Sequence, residues 1–460
     1  MNRTRLLTSF FLVVYWYLSA CTQAPEVTQG PSPAVSQMIT EVPEPVRVQL
    51  AQKPLPVTEQ PATTNGLTPT TGLTPTTDPA IELPKSIVLW HAWEGSEVES
   101  LMEVIDGFNE LQPNVQFEVS YFPFDGLRER YSDAAVKGDG PTLLIGPAEW
   151  GPTLFDGNVI ADLSQLADQE LLASINKAAL AQVEYKQALI GLPEAFRRGV
   201  VMFRNKDIIP DSPRSLEELI EIASQANQGE VVGADFDIGF YFSGAQLTAC
   251  GGKLMNEKGD PAFNNAAGVC WLNLLRSFKD SGLLVEFNTE NDANLFKAGR
   301  LGFLIDGSEN ITNLAEAIGV ENLAIDPWPA TKGGHLSGFV ETEAIYLNPT
   351  AKANTSQVAW AFMEYFLSPE AQAILADPTK AAHLPTVKNV KIQNRLMKET
   401  VIAFEKSVPL PVIPEMNAYW GPMEAAIQSI FVEGADPTSA LQLAYIKITT
   451  EITAIRAGGK

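Results

Sequence analysis

A chain of 460 residues with 45% hydrophobic side chains is long enough for two packed domains, and it carries a formal net charge of −23. Against 55 acidic residues, 32 basic ones cannot build the basic surface that a nucleic acid or an anionic membrane face requires. With three His, three Cys and no Cys-x-x-Cys, the sequence has no metal-ligand spacing, and it has no phosphate loop or nucleophile elbow.

Arg3 and Arg5 precede an apolar run from Leu6 to Leu18, shorter than the ~20 residues of a comfortable membrane span. Residues 1–20 therefore read as a signal peptide. Leu18-Ser19-Ala20-Cys21 resembles the bacterial lipobox, which implies lipidation of Cys21 and an extracytoplasmic chain anchored to the cell membrane. From Thr22 to Pro84 there are twelve prolines, and Gly-Leu-Thr-Pro-Thr-Thr occurs at Gly66 and again at Gly72. Residues 21–84 thus read as the lipidated cysteine followed by a disordered Pro/Thr-rich tether. Two cysteines remain beyond it, Cys250 and Cys270. In an oxidising compartment they are expected to pair, as a structural disulfide.

The globular body starts near Lys85. Ile87 to Trp90 reads as a buried strand. Ser96 with Glu99 reads as a capping box, opening a helix whose apolar residues Val98, Leu101, Met102, Ile105 and Phe108 share one face. Val115, Phe117, Val119 and Tyr121 alternate as a half-buried strand, and Leu143 to Gly146 reads as another buried one. Ser215 with Glu218, and Ser368-Pro369-Glu370, mark two further helix starts. Strand and helix alternating in this order predict an α/β chain with mostly parallel sheets covered by helices.

Ile87 to Gly95 (IVLWHAWEG) resembles the first strand and binding loop of the family 1 extracellular solute-binding proteins of bacterial ABC importers. Gly138-Asp139-Gly140-Pro141, Gly191-Leu192-Pro193-Glu194, Asn205-Lys206-Asp207, Gly251-Gly252, Gly302 to Gly307, Leu367 to Ala371 and Ile413 to Trp420 continue the likeness in order. The resemblance implies the two-lobed periplasmic-binding-protein fold of class II, with hinged lobes and central mixed sheets. Lobe 1 is then expected to hold 85–196 and 305–347, and lobe 2 197–304 and 348–460. It further implies a sugar-binding, non-catalytic monomer with no cofactor, which delivers its ligand to an ABC permease.

A pyranose offers an apolar face and a rim of hydroxyls, matched by aromatic rings and by charged or amide groups. By the resemblance, Trp93 and Glu94 lie in the first binding loop, and Glu149 and Trp150 follow the strand that ends at Gly146. Glu194 and Arg198 sit at the first crossover. Tyr241, ten residues before Gly251, takes the place of a stacking tyrosine. Trp420 takes the place of the main stacking platform. Where many relatives carry an aromatic two residues after Ile305-Asp306-Gly307, this chain has Glu309, so Asp306 and Glu309 are expected to add hydroxyl acceptors. Maltose itself is accordingly disfavoured among sugars, and the same fold binding a polyamine, peptide or osmolyte stands as the alternative.

Overall fold

A computed structural model describes residues 46–48, 85–287 and 289–458. Cys21 and nearly all of the tether read from the sequence lie outside the described residues. Three tether residues, Val46–Val48, do pair with the body, antiparallel to the strand Val115–Tyr121.

The body is built as read from its apolar patterns. Lys85–His91 lies between Val115–Tyr121 and Leu143–Pro147 and is parallel to both. The helix Ser96–Leu111 covers them with Leu101, Val104, Ile105 and Phe108. Its cap differs from the expected one: Gly95, at a φ of 53°, is the N-cap, and Ser96 is the first helical residue. The reach-back comes from Glu97, whose carboxylate accepts the Glu94 N–H at 3.1 Å. At Leu216–Ala226 and Pro369–Leu375 the expected caps form, with Ser215 accepting from Glu218 N and Ser368 from Ala371 N.

One strand organises the molecule. Leu192–Asn205 pairs through Leu192–Gly199 with Phe339–Leu347 in the first sheet, and through Val200–Arg204 with Leu301–Gly307 in the second. All pairings of this crossing strand are antiparallel. The second sheet continues parallel from Leu301–Gly307 to Val232–Asp237 and Leu284–Glu286. Mixed sheets result, with parallel pairs within each lobe and antiparallel ones where the chain passes between the two lobes.

Two hydrophobic cores flank this strand. The first gathers Ile87, Leu89, Leu101, Phe108, Phe117 and Leu144; the second gathers Phe236, Trp271, Phe278, Ile427 and Leu441. The helices Ala353–Phe366 and Pro369–Leu375 pack in the first core, where Phe362 meets the Phe117 ring at 4.8 Å and the Phe108 ring at 5.3 Å. The return segment of the first lobe therefore runs past residue 347, the limit read from the sequence. Conversely, Leu301–Gly307 hydrogen-bonds into the second sheet. An apolar helical stripe such as Val358, Phe362 and Phe366 specifies a buried face, not which sheet it covers.

Candidate functional site

The predicted residues fall into two groups around the crossing strand. The first surrounds Arg198 and its neighbour on the adjacent strand, Glu341. Arg198 Nε lies 2.9 Å from Glu341 Oε1, and the Tyr241 hydroxyl, from the second lobe, donates to the same oxygen at 3.2 Å. Burial first and then the Glu341 charge push the Tyr241 phenol up from its ordinary pKa, so it stays a donor. Trp420 opens the helix Trp420–Val432, with its ring 6.4 Å from Tyr241 and 5.5 Å from Phe240. Its half-exposed ring lines a pocket of about 340 Å³ with Glu149, Arg128 and Asn417. Acceptors, a guanidinium and two aromatic rings thus converge where the lobes meet. Tyr419, next to Trp420, is buried and donates to Gly259 O at 2.8 Å, a packing role.

The second group surrounds a larger cavity of about 720 Å³, lined by Glu97, Arg197, Glu309, Glu316, Glu343 and His383 among others. Glu309 is exposed on its rim. Glu194 sits behind it, with a side chain 0% exposed and 3.5 Å from His383 Nδ1. His383 Nε2 lies 3.2 Å from Glu97. Burial works against charge on His383, but the Glu194 and Glu97 carboxylates outweigh it and carry the imidazole up to about 10. It is an imidazolium at neutral pH. Burial, then the Glu194 charge, raises Glu343, which accepts from Trp93 Nε1 at 3.3 Å.

Four residues expected at the site are placed otherwise. Trp93 is 4% exposed, edge-on to His383 at 4.6 Å, and Trp150 is 6% exposed against Phe124 at 5.4 Å. Both rings are consumed by packing, because their partners come from distant parts of the chain. Asp306 spends its carboxylate on its own turn, accepting from Gly307 N at 2.7 Å and Asn310 Nδ2 at 2.8 Å. Glu94 is exposed, and its carboxylate accepts from the Tyr121 hydroxyl. His91, at the end of its strand, accepts the Trp93 N–H at 3.0 Å; burial takes its pKa down to about 4, so it is neutral.

Glu341, Glu343 and His383 were missed in the sequence. A signal was there: Phe339-Val-Glu-Thr-Glu-Ala-Ile sets two acids two residues apart in an otherwise apolar strand, an arrangement that is costly unless each acid has a partner. Cys250 and Cys270 are joined by a disulfide, with Cα atoms 5.9 Å apart, tying the turn Gly244–Cys250 to the helix Ala266–Asp280. Among the described residues, no group of three or more His, Cys, Asp or Glu is placed to hold a metal ion, and no helix is long and apolar enough to cross a membrane.

The family model described as "Bacterial extracellular solute-binding protein" matches residues 103–400, well over half of the chain. The chain belongs to this family. Its relatives include the galactooligosaccharide-binding protein of Bacillus subtilis, 26% identical over 389 residues, covering 80% of this chain and 90% of that one. A maltooligosaccharide ABC transporter solute-binding lipoprotein of Streptococcus pneumoniae is 22% identical over 308 residues, covering 62% of this chain and 70% of its own. Among solved structures, an extracellular solute-binding protein of Staphylococcus aureus in complex with maltose superposes with a TM-score of 0.71 at 23% identity. That match covers 81% of this chain and 99% of the other, and it establishes the two-lobed fold.

Proposed function

We propose that this solute-binding protein captures an oligosaccharide between its lobes and delivers it to an ABC permease, while a lipid on Cys21 anchors it outside the cell membrane. The observation that carries the reading is the convergence of Arg198, Glu341, Tyr241 and Trp420. Arg198 stands on the crossing strand and Glu341 on its neighbour Phe339–Leu347, and the other two come from the second lobe. A ring stacked on Trp420 would present its hydroxyls to Glu149 and Arg198. Charge-assisted hydrogen bonds of that kind contribute about 1.5–3 kcal/mol each. The ligands for which these relatives are named, galactooligosaccharide and maltooligosaccharide, are of the same chemical class.

Capture follows from differential contact. A ligand that touches both lobes stabilises the closed arrangement over the open one, and only that difference shifts the population. The crossing strand forms part of the hinge, and closing and opening about it replaces turnover: the chain binds and releases without catalysis. The permease, a monomeric working form and the membrane tether belong to the same proposal. Acid-rich lining, with Glu149 and Glu341 on one recess and Glu309 on the rim of the larger cavity, favours a polyamine as the second reading.

A thermal-shift screen against saccharides, polyamines and osmolytes tests the choice, because a ligand at 100 times its Kd stabilises by about 2.7 kcal/mol. Stabilisation by an oligosaccharide, lost in Trp420→Ala without loss of fold, is the expected result. A polyamine as the sole stabilising ligand would refute the sugar assignment.

A further inference from the structure

Beside the Trp420 pocket lies a separate recess of about 30 Å³. The two share Glu149, Leu410, Pro411 and Val412, so the recess sits against the wall of the larger pocket. Its volume exceeds the ~10–15 Å³ that one water needs and is a small fraction of the larger pocket, room for a single hydroxyl-bearing group. One side is apolar, formed by Leu410, Pro411 and Val412. The other is polar, formed by Glu149, Gln182, Arg197, Glu341 and Thr342.

The polar side has unspent hydrogen-bonding capacity. Thr342 is 2% exposed, and its Oγ1 has no hydrogen-bond partner. A buried hydroxyl in that state is rare in a folded chain unless something else completes it. Glu341 receives both Arg198 and Tyr241 on Oε1, which leaves Oε2 as an acceptor. Opposite Glu341 and Thr342 the crossing strand carries one extra residue, Arg197, a bulge of the kind that re-aims side chains at a site. Gln182 already donates to Val340 O.

We infer that this recess receives the exocyclic hydroxymethyl group of a hexopyranose lying on Trp420, so that the protein selects hexose units by their 6-hydroxyl. The inference rests on the saccharide reading and narrows it. The methylene meets the Leu410–Val412 wall, the hydroxyl proton goes to Glu341, and the hydroxyl oxygen accepts from Thr342. Such a group is matched on both sides. A methyl in its place leaves the Thr342 hydroxyl buried and unpaired, and a site built to bond a hydroxyl rejects the analogue that lacks it.

Isothermal titration of the full chain with maltotriose and 4-galactobiose, each against its fully 6-deoxygenated counterpart, tests this. The parent sugar should bind at least about tenfold more tightly than its 6-deoxy form. Thr342→Val should weaken the parent and leave the 6-deoxy sugar unchanged, while Thr342→Ser restores the discrimination. Equal binding of parent and 6-deoxy sugar to the unaltered protein overturns the inference and leaves the saccharide reading standing. So does an equal weakening of both by Thr342→Val, checked for fold by circular dichroism. Binding of neither parent sugar overturns the saccharide reading, and this inference with it.

Discussion

Asp235 offers a sharp test of the electrostatics at the strand ends of the second lobe. It stands on Val232–Asp237 with a side chain 0% exposed and neither carboxylate oxygen hydrogen-bonded. Burial first, then the charges of Glu286 and Asp237, push its pKa up from 3.8 to about 7. Asp292 rises to about 7 and Asp306 to about 6, chiefly by burial. A carboxyl whose folded pKa exceeds its unfolded value binds more protons in the native state. Its cost is therefore absent below about pH 4, grows as pH rises, and is complete above about pH 7. Tenfold in proton affinity is about 1.4 kcal/mol, so Asp235 has a ceiling of about 4 kcal/mol, which local relaxation and water entry reduce to about 1–2. Asp235→Asn removes that term. Relative to the unaltered protein, the variant should gain about 1–2 kcal/mol between pH 5 and pH 8. Urea midpoints followed by tryptophan fluorescence, at unchanged m-value, measure it. A difference between the two proteins that is the same at both pH values would refute the reasoning.

Replacing Cys250 and Cys270 together by Ala should cost about 3 kcal/mol of stability in the loop-entropy account, and dithiothreitol should lower the melting temperature of the unaltered chain but not of the variant. Gly233→Ala should cost at least about 1–3 kcal/mol by urea denaturation, because a Cβ there would stand 1.8 Å from the Ala223 carbonyl oxygen and force the covering helix off its strand.

Local features of the chain were legible because neighbours in sequence decide them. Ser215 and Ser368 cap their helices through residues three positions on, and the alternation of Val115, Phe117 and Val119 needs only a buried face. The convergence of Arg198, Tyr241 and Trp420 was legible through the ordered likeness to a family. Residues whose role depends on distant partners were not. Trp93 sits in a loop after a strand, as a ligand-stacking ring would, yet His383 and Phe366 enclose it. Asp306 looked free for a ligand until Gly307 and Asn310 took its oxygens. Glu341 could have been suspected as an acid in an apolar strand, but its partnership with Arg198 is fixed by strand register, which no single segment encodes.

Calorimetric titration of malto- and galactooligosaccharides at about 50 mM and about 500 mM NaCl addresses the central claim most directly, since salt screens charge pairing and leaves neutral-sugar contacts nearly untouched. Saturable one-site binding of an oligosaccharide, with nearly the same affinity at both salt concentrations, is the predicted result. No oligosaccharide binding, alongside polyamine binding that weakens steeply with salt, would contradict it.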